Sequence, residues 1–337
     1  MQALFEKIYR QQALIRTEMG LLATAIFTEQ LTAAQISALL IGLKIKGITS
    51  DELTGLAEVM QTYAQTMPTN QLALMDNCGT GGDHLNSFNI STTSAFVLAG
   101  GGIPMAKHGN RSISSRSGSA DVLEALGINL TVTPASVDYL LHEAGIAFLF
   151  APAFHPAMKA VMPIRKELAT STIFNLIGPM INPYPLTTQL MGTSAHNSLV
   201  QTAETLEQLG RTRAIVVQGF GGMDEANLAG ETNYVLVAEG TVTSHHFLPE
   251  EIGLQSAPLT AITSQSVAQN QAILLAVLRD EPSVYHETVC LNAGLGFLAN
   301  GKVSSLEDGI QLAKDILKSG AAYHKLQRLI ALQTEVF

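Results

Sequence analysis

The apolar pattern of this chain changes once, near residue 70, and that change restricts the folds open to it. Before it, the apolar sets fall at helical spacing. Thr32-Ala33-Ala34-Gln35 and Thr49-Ser50-Asp51-Glu52 both fit a capping box, in which a hydroxyl and a Glu or Gln satisfy orphan N–H groups at a helix start. After the first, Ile36, Leu39, Leu40 and Leu43 recur at i, i+3, i+4 and i+7. After the second, Leu53, Leu56, Ala57 and Met60 repeat the spacing. Residues 1–66 therefore read as helical, and Met67-Pro68-Thr69-Asn70 as the loop that ends them.

From about residue 72 strand-like and helix-like segments alternate. Strands are expected at Leu72–Met75, Ile103–Ala106, Ile146–Phe150 and Ile215–Val217, and helices at Ser91–Ala99, 119–126 and 135–144. Ile146–Phe150 is apolar throughout, as a strand covered on both faces must be. Tyr234–Val237 and Thr241–His245, joined at Glu239-Gly240, read as an antiparallel hairpin at a sheet edge. The stretch from about 265 to 335 reads as three or four helices. The expected fold is α/β: a mainly parallel central sheet flanked by helices, with a small all-helical N-terminal domain. That domain is expected over residues 1–70, joined by part of 155–185, which interrupts the alternation; the α/β domain is expected over 71–337.

Composition removes several function classes. A net charge of −9 argues against general nucleic-acid binding, which needs a basic face. No uncharged apolar run approaches the roughly 18 residues of a membrane span. The N-terminus carries Glu6 and Glu18 and lacks the apolar core of a signal peptide. Cys78 and Cys290 lie far apart and form no metal-thiolate pair, which suits a reduced, cytoplasmic setting.

Two runs carry the chemistry. Asp76-Asn77-Cys78-Gly79-Thr80-Gly81-Gly82-Asp83 is a glycine-rich turn after an apolar run; alone it reads either as a tight turn or as a place where N–H groups converge on an anion. It leads into Asn89-Ile90-Ser91-Thr92-Thr93-Ser94, a helix start rich in hydroxyls. The second run, Lys107-His108-Gly109-Asn110-Arg111-Ser112-Ile113-Ser114-Ser115, collects the cations and hydroxyls that phosphate oxygens need. His108 by itself reads as a structural hydrogen-bonding residue. Together the runs imply a substrate carrying several phosphates. Asp224-Glu225 follows Gly219-Phe220-Gly221-Gly222-Met223 beyond a strand end, where the pair suits magnesium better than plain solvation. Arg165 fits a fork for a substrate carboxylate, or a surface ion pair with Glu167 or Glu58; spacing does not decide. His245-His246 point to opposite faces of a strand and offer no metal site.

These residues resemble the anthranilate phosphoribosyltransferases over nearly the whole chain. The likeness runs through Leu43-Lys44-Ile45-Lys46-Gly47, Cys78–Asp83, Asn89–Thr92, Lys107–Gly127, Phe154-His155-Pro156-Ala157-Met158, Thr172-Ile173-Phe174-Asn175 with Gly178-Pro179, and Gly222–Glu225. The resemblance implies a nucleoside phosphorylase/phosphoribosyltransferase-like fold. It implies transfer of phosphoribose from 5-phosphoribosyl 1-pyrophosphate to anthranilate in tryptophan biosynthesis, with magnesium, two ions per monomer, in a homodimer that binds neither nucleic acid nor membrane. The diphosphate substrate is expected on Gly79, Gly82, Asp83, Ser87, Asn89, Ile90, Ser91, Thr92, Lys107, His108, Gly109, Asn110, Arg111, Ser112, Ile113, Ser114, Ser115 and Ser119. Anthranilate is expected near Gly79, Asn110 and Arg165, and magnesium on Ser91, Asp224 and Glu225. Lys107, Asp224 and Glu225 carry the charge stabilisation, with no general base assigned.

Two departures stand out. The family pattern Arg-x-x-Leu-Gly-x-Arg-Thr appears with Ala169 for the Gly and Ser171 for the second Arg, which removes a cation near the aromatic substrate. Ser87 stands where Thr is commoner and keeps the hydroxyl. A pyrimidine nucleoside phosphorylase of the same fold, or a non-catalytic nucleic-acid-binding relative, is the alternative reading. The lysine loop and the Asp224-Glu225 pair argue against the first, and the −9 charge against the second.

Overall fold

The computed structural model describes residues 1–111, 118–195 and 198–336. The two capping boxes form as expected: Thr32 Oγ1 accepts the Gln35 N–H and Thr49 Oγ1 the Glu52 N–H, each at 3.3 Å. They start the third and fourth of the helices α1 (Gln2–Tyr9), α2 (Arg16–Phe27), α3 (Ala33–Lys46) and α4 (Ser50–Thr62).

The alternating part follows. It runs β1 (Met75–Asp76), α5 (Ile90–Gly100), β2 (Met105–Gly109), α6 (Ser119–Ala125), α7 (Pro134–Glu143), β3 (Ile146–Phe150) and α8 (Ala151–Phe154). Next come α9 (Met162–Leu168), α10 (Ile173–Ile177), β4 (Thr188–Gly192), α11 (Leu199–Gln208) and β5 (Arg213–Gln218). The hairpin is β6 (Thr232–Ala238) and β7 (Thr241–Phe247). Four helices end the described chain: α12 (Val267–Leu278), α13 (Val284–Asn300), α14 (Leu306–Lys318) and α15 (Ala321–Val336).

Among the described residues the strands form one seven-stranded sheet in the order β3-β2-β1-β4-β5-β6-β7. The first five are parallel neighbours, and the hairpin is antiparallel at the edge. The α/β expectation therefore holds. Three strands depart from the reading: β2 covers Met105–Gly109 rather than Ile103–Ala106. β1 begins at Met75 rather than Leu72 and is only two residues long. β4 was not anticipated, because Gln189 interrupts its apolar run. In the fold that amide is buried but satisfied, donating to the Pro179 carbonyl at 2.6 Å and accepting from Arg211 Nε at 3.1 Å.

The sheet separates two apolar clusters. Ile215 and Val217 face the cluster that holds α5 and the four C-terminal helices. Ala214 and Val216 face the other, as the two-residue period of a strand requires. That second cluster contains the buried faces of α1 to α4, together with Val161, Ile164, Ile173, Phe174 and Ile177 from the segment that interrupts the alternation.

Within the helical bundle Glu52 is fully buried, and its acceptor capacity is used. Oε1 accepts the Leu14 N–H at 2.9 Å; Oε2 accepts Lys46 Nζ at 2.9 Å and the Thr49 N–H at 3.0 Å. One carboxylate thus ties the α1–α2 connection to the end of α3 and the start of α4. Removing one partner of a buried pair leaves the other desolvated and unpaired, at about 3–5 kcal/mol. Glu52→Ala is expected to lower stability by that amount in urea unfolding; a loss under about 1 kcal/mol, the scale of an exposed pair, would make this tie a surface contact in effect.

Candidate active site

Strand order places the crevice. From β1 the chain steps outward through β2 and β3, returns to the other side of β1 as β4, and then steps the opposite way through β5. The loops after β1 and β4 part, and α/β sheets bind ligands in such gaps, beyond the carboxyl ends of the strands. The glycine turn 77–83, the segments after β2 and β4, and the Gly219–Glu225 loop after β5 all leave the sheet at this edge.

Glycines here make room for a carboxylate. Gly79 bridges to Gly192, and the Thr80 N–H donates to the Gly192 carbonyl at 3.0 Å. A Cβ on Gly79 would run into the Asp224 carboxylate, and one on Gly192 into the Asp224 carbonyl. Gly81 and Gly82 take φ of 66° and 81°, the left-handed region that glycine adopts without strain. That turn aims the Gly81 N–H at Asp224 Oδ2, 2.6 Å away.

Three carboxylates meet at this point. Ligand oxygens of Asp83, Asp224 and Glu225 all lie within 4.8 Å of one another. Among the described residues none of the three forms an ion pair. Burial, with the Asp83 charge beside it, lifts the Asp224 carboxyl to about 6. Burial, with the Asp224 charge next, pushes Glu225 well above the usual carboxylate range. An all-oxygen anionic set short of positive charge fits magnesium, which takes carboxylates, waters and phosphate oxygens. Polar atoms buried without a partner gather in the same region: Asn77 Oδ1, Asp83 Oδ2, Asn89 Oδ1 and Thr92 Oγ1. A polar ligand answers that need, whichever way the two amides are turned.

The structure brings several of the anticipated residues into this region. Gly79, Ser91, Asp224 and Glu225 line one cleft together with Asn77 and Asn292. The Ser91 backbone N–H faces the Glu225 carboxylate. Ile90 is buried at the start of α5, and Asn89 is anchored by its N–H to Asn270 Oδ1 at 3.0 Å. Ser87 bridges to Thr263. Lys107 is buried on β2, and its Nζ donates to the Asn77 carbonyl at 2.9 Å, beside the glycine turn. Beyond β2, Ser119 Oγ donates to the Asn110 carbonyl at 3.1 Å and lies against Gly109. Ser112, Ile113, Ser114 and Ser115 lie outside the described residues.

Arg111 departs from the expectation of a phosphate donor. Its guanidinium is held by Asp121 at 2.7 Å and Glu124 at 2.8 Å and lies over the Phe150 ring, so these carboxylates already occupy its fork. Arg165 forms neither of the surface pairs considered for it. Glu58 is taken by Arg16, and among the described residues Arg165 has no carboxylate partner. Its guanidinium sits half-buried over Phe174, 5.6 Å from the ring centroid, and burial pulls its pKa down. Its donors are not taken by any carboxylate among the described residues.

The His108 ring meets His155 edge-on, with centroids 5.2 Å apart. His108 Nδ1 lies 3.2 Å from the Gly178 carbonyl, while the Nε2 atoms of both rings are buried without partners. Burial first, and His155 next, lower the His108 pKa to about 3, so the ring is neutral at pH 7. Of the two departures, Ala169 caps α9 with a left-handed φ of 47°, a geometry that suits glycine better. Ser171 does not leave its segment without a cation: Lys44 Nζ donates to the Thr170 and Ser171 hydroxyls.

Several site residues escaped the sequence reading. Ser194, beyond β4, donates to the Gly81 carbonyl at 2.8 Å, and Asn182 reaches Asp76 at 3.0 Å. The signal for Ser194 was Gly192-Thr193-Ser194 after an apolar segment, a shorter echo of the first glycine turn. Nothing local marks Asn182.

Known proteins bear on this geometry. Residues 2–64 match the helical bundle domain of the glycosyl transferase family, and residues 71–323 its a/b domain. An anthranilate phosphoribosyltransferase of Listeria monocytogenes is 55% identical over 336 residues, covering 100% of this chain and 99% of the relative. One from Streptococcus gordonii is 54% identical and covers 98% of both chains. The crystal structure of the Thermus thermophilus anthranilate phosphoribosyltransferase superposes with a TM-score of 0.92 at 39% identity, covering 98% of each chain. The Saccharomyces cerevisiae enzyme in complex with PRPP and Mg shares the fold, with a TM-score of 0.87 at 24% identity over 99% of each chain. The chain belongs to the glycosyl transferase family, among its anthranilate phosphoribosyltransferases.

Proposed function

We propose that this chain joins anthranilate to 5-phosphoribosyl 1-pyrophosphate in tryptophan biosynthesis. The bond from the ribose C1 to the pyrophosphate oxygen breaks, a bond from C1 to the amine nitrogen forms, and the amine gives up one proton. The observation that carries the reading is the meeting of Asp83, Asp224 and Glu225 at a glycine turn, with the Lys107 ammonium bonded to that turn. Phosphate and ribose groups are assigned to 79–83, 87–92, 107–110 and Ser119, with the 112–115 run of the sequence. The anthranilate carboxylate meets Arg165, near Asn110 and Gly79.

The amine is already a nucleophile, so the barrier is loss of pyrophosphate. Magnesium, two ions per monomer, is assigned to Asp224, Glu225, Ser91 and Asp83, and when bound it supplies positive charge to the leaving group. Lys107 adds a fixed ammonium from a buried site, where little reorganisation is needed as charge develops. Arg165 orients the acceptor. The division at residue 70, with part of 155–185 joining the helices, puts Arg165 and the phosphate site on separate bodies that can close and exclude water. A homodimer is assigned to the helical part, which leaves Tyr9, Ile15, Leu21 and Ile45 exposed. No described helix is long and apolar enough to cross a membrane, and the two free cysteines suit a reducing cytoplasm.

Loss of anthranilate fluorescence only when both the diphosphate substrate and magnesium are present tests the reaction directly. No loss under those conditions would refute it. Asp224→Asn with Glu225→Gln is expected to abolish magnesium-dependent turnover. Because folding raises the Asp224 pKa, the stability this group contributes is present below its unfolded value, about 4, and is lost as pH rises through about 6. The metal-free double variant should therefore melt above the wild type at pH 8 and lose that advantage by pH 4; identical melting at both pH values would count against the buried charges. Arg165→Ala should raise the anthranilate KM at least tenfold and leave that of the diphosphate substrate within about twofold, since a charged hydrogen bond contributes about 1.5–3 kcal/mol. Equal changes in both would remove the carboxylate role. Light scattering should give a dimer for the wild type and a smaller species for Leu21→Glu with Ile45→Glu; an unchanged mass would place the interface elsewhere.

A further inference from the structure

β1 and β2 pair through one residue couple, Met75 with Met105, whereas β2 and β3 pair along five. Past Met75 the two strands part, and side chains take the polar groups that backbone pairing would have joined. The His108 N–H donates to Asp76 Oδ1 at 3.2 Å. The Ala106 carbonyl accepts from Asn182 Nδ2 at 2.8 Å, and the same nitrogen donates to Asp76 Oδ2 at 3.0 Å. Asp76 also accepts the Asn77 N–H at 2.7 Å and the Cys78 thiol at 3.3 Å. Asp76 and Asn182 are fully buried. A carboxylate and an amide therefore form a wedge between two neighbouring strands.

Lys107 lies between the two groups that this wedge holds, the Ala106 carbonyl and the His108 N–H. Its side chain reaches the Asn77 carbonyl, on the residue whose N–H Asp76 accepts. We infer that Asp76 is a positioning residue for the reaction: through the wedge it sets the gap between the glycine turn and β2, and so the place of the Lys107 ammonium. The inference rests on the reading of Lys107 as the group that meets the leaving pyrophosphate. A purely structural solution was available in the backbone ladder of two adjacent parallel strands, with no charge to desolvate. Asp76 is instead a buried carboxylate that, among the described residues, forms no ion pair. Burial raises its pKa, and the field of Lys107 opposes that rise.

Asp76→Asn keeps the size and sets an amide nitrogen against that of Asn182. It should fold with wild-type circular dichroism. Its kcat should fall about 10- to 100-fold, as for supporting partners of other active-site groups. The KM for the diphosphate substrate should rise, with that for anthranilate unchanged. The decisive reading is a double-mutant cycle: Asp76→Asn combined with Lys107→Met should be no slower than Lys107→Met alone. Multiplied losses, or equal rises in both KM values, would overturn the inference. Should Asp76→Asn fail to fold, Asn182→Ala removes one donor to the carboxylate and should show the same non-additivity with Lys107→Met in smaller degree; additivity there would also overturn it. Calorimetry with 5-phosphoribosyl pyrophosphate and magnesium separates this from the function itself. A wild type that binds the diphosphate yet ignores anthranilate refutes the acceptor, while unchanged diphosphate affinity in Asp76→Asn then refutes the wedge.

Discussion

Burying Asp224 against backbone is the constraint on which the site depends. Its carboxylate and carbonyl approach so closely that Gly79 and Gly192 cannot carry side chains. Its Oδ2 takes the Gly81 N–H, which requires the left-handed turn at Gly81 and Gly82. Glu225 and Asp83 then crowd the same space, and burial raises the proton affinity of both Asp224 and Glu225. A protein gains no stability from such an arrangement alone. It makes a strong demand for positive charge, and it places that demand at the gap where the sheet changes direction.

The cationic side is built differently. Lys107 and Arg165 are both withdrawn from water, yet neither has a carboxylate partner among the described residues. Arg111 in the same segment is paired twice and exposed. Lys107 and Arg165 thus keep donors that no carboxylate occupies, while those of Arg111 are taken by Asp121 and Glu124. Lys107 comes from the sheet and Arg165 from a helix whose buried residue, Ile164, packs in the bundle cluster. That cluster also contains Met191, Ala214, Val216, Val235 and Val237 of the sheet, so the bundle and one sheet face share a continuous apolar layer. Lys107 and Arg165 thus rest on different supports joined by apolar contacts, which are non-directional.

Much of this was legible in the chain. Helix starts at Thr32 and Thr49, the strand at Ile146–Phe150 and the edge hairpin follow from local chemistry that any short window contains. The glycine turn, the lysine run and Asp224-Glu225 were visible because each concentrates unusual residue types in a few positions. What escaped has a common cause. β4 was hidden because Gln189 reads as polar until Pro179 and Arg211 satisfy it. The shortness of β1 was hidden because its continuation is replaced by side chains from Asp76 and Asn182, 106 residues apart.

The sequence by itself determined most of the alternation of helices and strands, the residue types offered to the proposed phosphate site and the glycines that make room for Asp224. Those are properties of spacing, steric bulk and charge, which act over a few residues. Only the tertiary structure decided which charges are paired and which are left free: that Arg111 is occupied, that Arg165 is not, that Lys44 stands beside Ser171, and that Asp83 joins Asp224 and Glu225. The strength of a charge depends on what surrounds it in space, and burial and partners are settled by contacts between residues far apart in the chain.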